Sequence, residues 1–154
     1  MSKLKIPILV LIATLILIQI IPTKRPEVDM SNPNDLLKNN DIDTEVASLL
    51  RASCYNCHSN ETNYPWYAYV APSKWLVSFD TKEGRHHLNF SDWESLNKLD
   101  KAKILSEIAD EVRGGDMPMP VYTIMHPKAR LSEKDRTQII DWTNRFGDQL
   151  FSKK

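Results

Sequence analysis

The string Cys54-Tyr55-Asn56-Cys57-His58 constrains this chain more than any other feature, because it holds both of the cysteines among 154 residues. A helix is expected to run into it, opening at Asp43-Thr44-Glu45 and carrying Val46, Leu49 and Leu50 on one face. Two thiols three positions apart at the end of a helix can add to the two vinyl groups of one porphyrin. The adjacent histidine then reaches the iron from the same face, which is why Cys-x-x-Cys-His marks covalent haem attachment. A thioredoxin-like redox pair would need a strand-helix setting. A structural zinc site needs four ligands, and only the histidines at 58, 86, 87 and 126 could complete it. A disulfide between Cys54 and Cys57 would leave His58 without a role. The reading is therefore one covalent haem c, held by Cys54 and Cys57 and ligated by His58, and with no other cysteine there is no second.

The N-terminal segment is different in kind. Ile6 to Ile21 is a run of apolar residues broken only by Pro7, Thr14 and Gln19, and no Ala-x-Ala follows it. Residues 1–25 are read as an uncleaved signal-anchor or transmembrane segment, although 16 residues fall short of the roughly 20 that span a bilayer comfortably. Residues 26–40, rich in proline and turn formers, read as a flexible tether, and 41–154 as the haem-binding domain. Lys3, Lys5, Lys24 and Arg25 are the charges of the first 25 residues; the remainder holds 16 basic and 20 acidic residues, a net charge of −4. A weakly acidic domain lacks the basic face that nucleic-acid binding requires.

No stretch alternates as a strand would, so the fold is expected to be all-α, a bundle of four or five short helices around one haem. After the aromatic loop Tyr64 to Pro72, a helix is predicted from Ser73 to near Gly84. Ser91 with Glu94 makes a capping box, Asp100 is the expected cap of a helix closing at Gly114-Gly115, and Ser132 with Asp135 opens a last helix ending before Gly147. A domain this short, with long loops, gains from a cofactor as its packing centre.

The sixth iron ligand is sought in the loop Asp116 to Arg130. Met117 and Met119 are not on a predicted helix, and Pro118 and Pro120 are expected to keep the backbone extended, so that only one thioether faces the haem. Met117 is preferred to Met119. The rivals are His87, His86 and His126, whose ligation would lower the reduction potential. Arg85 is a candidate partner for a haem propionate, although a solvated surface arginine is the preferred reading. The order helix, Cys-x-x-Cys-His, intervening helices, Met-Pro loop, terminal helix resembles that of class I cytochromes c.

Beyond the attachment string, five blocks together are similar to one family, the small haem-binding domain proteins of Bacteroidetes-type bacteria. They are Cys54 to Thr62, Pro65-Trp66-Tyr67, Gly84 to Trp93, Met117 to Pro120 and His126 to Ser132. The resemblance implies a c-type haem on Cys54, Cys57 and His58, and places the family's methionine at Met117, with Met119 at a variable position. It also implies thioether assembly outside the cytoplasm, hence an inner-membrane anchor with the domain in the periplasm. The expected function is electron transfer between unidentified redox partner proteins, with no enzymatic activity. A haem-based sensor or ligand-binding module with a displaceable distal methionine is the alternative.

Overall fold

The Asp43 carboxylate accepts a hydrogen bond from the Glu45 N–H, and a helix follows as that cap requires. In this computed structural model, which describes residues 5–152, eight α-helices and no strand occur among the described residues. They are α1 (Lys5–Leu17), α2 (Leu36–Asn39), α3 (Thr44–Ser53), α4 (Tyr55–His58), α5 (Ser73–His87), α6 (Lys98–Gly114), α7 (Pro120–Met125) and α8 (Glu133–Ser152). The all-α expectation holds, but with eight helices rather than four or five: α5, α6 and α8 run longer than the hydrophobic periodicity predicts, and the short α2, α4 and α7 are additional.

The core forms where α6 lies along α8 and α3 crosses onto α8. Leu105, Ala109 and Val112 recur at helical spacing on α6, and Ile139, Trp142 and Phe146 on α8. Trp142 stacks on Phe146 at 5.7 Å between ring centres, and Trp93 stacks on the same ring at 6.1 Å. Asn97, rather than Asp100, caps α6 by accepting from the N–H groups of Leu99 and Asp100. Gly115, at φ 83°, ends α6 in the left-handed conformation that glycine adopts without a steric cost. The Ser132–Asp135 capping box forms in both directions. The last helix nevertheless runs past Gly147 to Ser152, because an internal glycine costs only about 1 kcal/mol and α6 packs against this face.

Two N-terminal expectations are corrected. Among the described residues no helix is long and apolar enough to cross a membrane. The 13 residues of α1 reach about 20 Å at 1.5 Å each, against a hydrocarbon thickness of about 30 Å. The helix tightens into a 3₁₀ turn at Ile18–Ile20 and Ile21 is extended. Gln19 exchanges side-chain hydrogen bonds with the Ala71 backbone, in both directions, and this fixes the end of the run against the domain. Residues 1–4 of the expected span lie outside the described residues.

Nor are residues 26–40 a free tether. The Asp29 N–H donates to the Asn60 carbonyl at 2.9 Å, Tyr64 Oη to the Pro26 carbonyl at 2.8 Å and Arg85 to the Glu27 carbonyl at 2.7 Å. Asp35 caps α2 and, with Leu36, is fully buried. Proline-rich composition rules out a long helix here, but the carbonyls remain available and the domain takes them.

Candidate functional site

Cys54 ends α3, and its backbone leaves helical geometry at φ −121° before the single turn of α4 begins. The break turns the motif away from the α3 axis while the core holds it. Tyr55 is buried, stacks on Phe90 at 5.0 Å and donates to the Asp35 carboxylate, so the side chains on either side of Tyr55 project from a fixed base. At Gly84 a Cβ would stand 2.7 Å from the Cys57 carbonyl oxygen; α5 approaches α4 this closely only because that residue is glycine.

The result is a cavity of about 610 Å³. Cys54, Cys57 and His58 line it from the motif; Asp80, Glu83, Gly84 and His87 from α5; Ile104, Ile108 and Glu111 from α6; and Met117 and Met119 from the loop that follows. All four sequence-expected site residues thus line one space. On α6 the cavity residues Ile104 and Ile108 also pack against the core that holds Leu105 and Val112, and Val112 itself reaches the cavity, so one helix serves both.

His58 is oriented by its backbone surroundings. Its Nδ1 lies 3.1 Å from the Leu88 carbonyl oxygen, which can only accept, so Nδ1 carries the proton and the Nε2 lone pair is left free. Burial holds its pKa below the ordinary histidine value, keeping the ring neutral and able to bind a metal. Burial pushes the Cys54 thiol up to about 12 and, together with the Asp80 charge, the Cys57 thiol up to about 11. Both cysteines are free and both stay protonated. A reactive redox pair has its thiols shifted the other way. Among the described residues no group of three or more His, Cys, Asp or Glu side chains converges to hold a metal ion. Neutral thiols, a neutral imidazole with one nitrogen free, thioethers and an isoleucine floor suit a haem.

The distal loop differs from its expected form. Pro120 opens α7, with Met119 as the preceding residue, so the loop is not extended throughout, and both methionines line the cavity. The N–H groups of Gly115, Asp116 and Met117 all point at the Glu111 carbonyl, fastening the loop to the end of α6. Tyr122 on α7 accepts a 2.8 Å hydrogen bond from Asn56, an inner residue of the attachment string. Neither that latch nor the Gly84 and Leu88 contacts leaves a local signal in the sequence.

Among the histidines, His87 lines the cavity, next in sequence to the Leu88 carbonyl that holds His58. His86 is exposed. His126 lines a second cavity, stacked on Tyr122 at 4.1 Å and hydrogen-bonded to Tyr67. Arg85 is half-buried and occupied by the Glu27 carbonyl and the Thr62 hydroxyl. No lysine or arginine lines the larger cavity, whose charged residues are Asp80, Glu83, Glu107 and Glu111.

Comparison with known proteins agrees with this chemistry. Residues 13–145 match the family described as the haem-binding domain. The chain is also 28% identical over 102 residues to a cytochrome c peroxidase of Escherichia coli (strain K12), covering 64% of this chain. It spans only 22% of that peroxidase. No solved structure matches it.

Proposed function

We propose that this chain, which belongs to the haem-binding domain family, is a monohaem c-type cytochrome that carries electrons in the periplasm and is not an enzyme. The observation that carries this reading is that Cys54, Cys57, an oriented His58 and Met117 line a single cavity. When bound, a haem supplies a one-electron iron couple. In this role Cys54 and Cys57 would hold the cofactor through thioether bonds, and His58 Nε2 and the Met117 thioether would be the groups that bind its iron.

Met117 is favoured over Met119 because its own N–H is tied to α6 and it lines only the larger cavity, whereas Met119 lines both. His87 is disfavoured because it is exposed and directly precedes Leu88, whose carbonyl already orients His58. The bundle is read as cytochrome c-like from the order of its elements. Thioether assembly outside the cytoplasm motivates the periplasmic assignment, and the partners are redox proteins. The likeness to the peroxidase concerns about a fifth of that protein, so it favours a shared haem-binding part over peroxidase chemistry.

The test is to produce the chain with a c-type maturation system and denature it. Haem should stay attached to the wild type and be lost entirely from the Cys54→Ala/Cys57→Ala double variant. Covalent haem surviving in the double variant overturns the reading. Rapid carbon monoxide binding by the wild-type ferrous protein would put the sensor alternative ahead of electron transfer.

A further inference from the structure

The second cavity, about 280 Å³, is lined by none of Cys54, His58 and Met117, yet it adjoins the larger one through Cys57, Asp80, Met119 and Tyr122. The helix α5 forms a wall of both: Leu76 and Val77 face the smaller cavity, Glu83, Gly84 and His87 the larger, and Asp80 stands at the junction. We propose that the smaller cavity binds a single-ring aromatic diol of the hydroquinone class.

Size and wall chemistry select the ring. An apolar cavity of about 150 Å³ accepts one benzene, so 280 Å³ leaves room for one substituted ring. Aromatic side chains line it: Trp66 and Tyr67, which meet edge-on at 84°, and Tyr122 with the His126 ring stacked on it. Trp66, Leu76 and Met125 line it while remaining 72%, 51% and 54% exposed, which gives an apolar ligand a surface to land on.

The polar groups select the hydroxyls. Tyr67 Oη is bonded to His126 Nε2. With the phenol donating to the imidazole, its oxygen retains lone pairs for an incoming O–H. The Asp80 carboxylate lines the cavity, has no hydrogen-bond or ion-pair partner among the described residues, and is held above the usual carboxylate range by burial. Two acceptors supplied by two different elements suit a ligand with two donors. The position of Asp80 directs one hydroxyl toward the haem cavity, which on the electron-carrier reading is where a small donor would have to stand. The purpose of the site rests on that reading, but binding does not.

The experiment is anaerobic calorimetry on the pre-reduced holoprotein, titrated with trimethylhydroquinone and with its dimethyl ether, which keeps the ring and loses both donors. One hydroquinone should bind per chain, with the ether at least tenfold weaker. Asp80→Ala and Tyr67→Phe should each weaken the hydroquinone at least fivefold and leave the ether unchanged. Equal binding of the two compounds, or no binding to the holoprotein, overturns the proposal. The wild-type comparison of the two compounds decides the matter even if a variant fails to fold. A chain that holds haem covalently but ignores hydroquinone sinks this proposal alone. One that binds hydroquinone without covalent haem sinks the carrier reading and keeps the site.

Discussion

The two walls of the haem cavity are built on different principles. The attachment wall is a single helical turn set into the core: Tyr55 stacks on Phe90 and bonds Asp35, Ser59 donates to the Tyr55 carbonyl, and Gly84 of α5 touches the Cys57 backbone. The methionine wall is a loop with two fastenings, the Glu111 carbonyl at one end and the Asn56–Tyr122 bond at the other. A wall made of close packing resists any added volume. A wall hung on a few hydrogen bonds tolerates volume but depends on each bond. On the proposed function, this suits a packed wall that carries the attachment residues and a loop that has only to hold Met117 within reach.

The largest effect should come from the packed wall. Gly84→Val adds a Cβ 2.7 Å from the Cys57 carbonyl oxygen and 3.2 Å from its Cβ, and backbone cannot rotate aside as a flexible side chain would. Thermal or denaturant unfolding should show a loss of about 2–3 kcal/mol, and covalent haem incorporation should fall with it. Unchanged stability and haem yield would mean that α4 and α5 separate easily, and the contrast between the walls would collapse.

On the methionine wall the expected damage is to ligation. Met117→Ala removes a half-buried side chain from a cavity edge, costing the fold about 1 kcal/mol or less. It should, however, abolish the weak long-wavelength absorption of a ferric thioether–iron bond, open the ferrous protein to carbon monoxide and lower the potential. Met119→Ala should leave the band in place. The reverse pattern assigns the ligand to Met119, and loss of low-spin character in His87→Ala alone would make the site bis-histidine.

These two expectations mark how far the sequence could be read. Cys54, Cys57 and His58 are legible because their chemistry is carried by spacing within one turn, and the caps at Asp43 and Ser132 because each is settled within three residues. Met117 is legible as a thioether among prolines, but its partners are not. The Gly84 approach, the Leu88 carbonyl on His58 and the Asn56–Tyr122 bond join residues between 27 and 66 positions apart, and no local pattern records them. Residues 26–40 mislead for the same reason. Their composition describes the chain's own preferences, while the bonds that fix them come from Asn60, Tyr64 and Arg85.

A smaller effect tests whether the loop hangs on its latch. Tyr122→Phe breaks this one hydrogen bond and should cost about 1 kcal/mol, while Asn56→Ala also removes the acceptor of the Asn63 N–H and should cost somewhat more. If the bond is the shared cause, the double variant should be no less stable than the worse single one. Carbon monoxide binding should speed up in all three as the methionine is held less firmly. No loss in Tyr122→Phe, which keeps the ring, together with unchanged carbon monoxide kinetics, would show that Tyr122 acts through its ring stack on His126 instead.

The smallest predicted effect concerns the backing of the packed wall and comes with a pH signature. Glu61, in the segment just after α4, accepts from Asn32 and Arg51 and pairs with Lys38, so it ties the 26–40 segment to α3. Burial pushes its carboxyl up, but the hydrogen bonds from Asn32, Arg51 and Lys38 outweigh this and hold it below the usual glutamate range. A carboxyl depressed in the folded state contributes stability that is present above its unfolded pKa and lost as pH falls through its folded one. Glu61→Gln should therefore lose about 0.5–1 kcal/mol near neutrality, the range of a partly exposed ion pair. The difference from wild type should shrink as the pH drops below about 4.3, the unperturbed value for glutamate. High salt should shrink it as well. Its haem spectrum should stay that of the wild type at every pH, since Glu61 supports the wall from behind and lines neither cavity. A pH-independent loss would place the effect in packing, and an altered spectrum would mean that the packed wall transmits strain to its ligands as readily as the loop does.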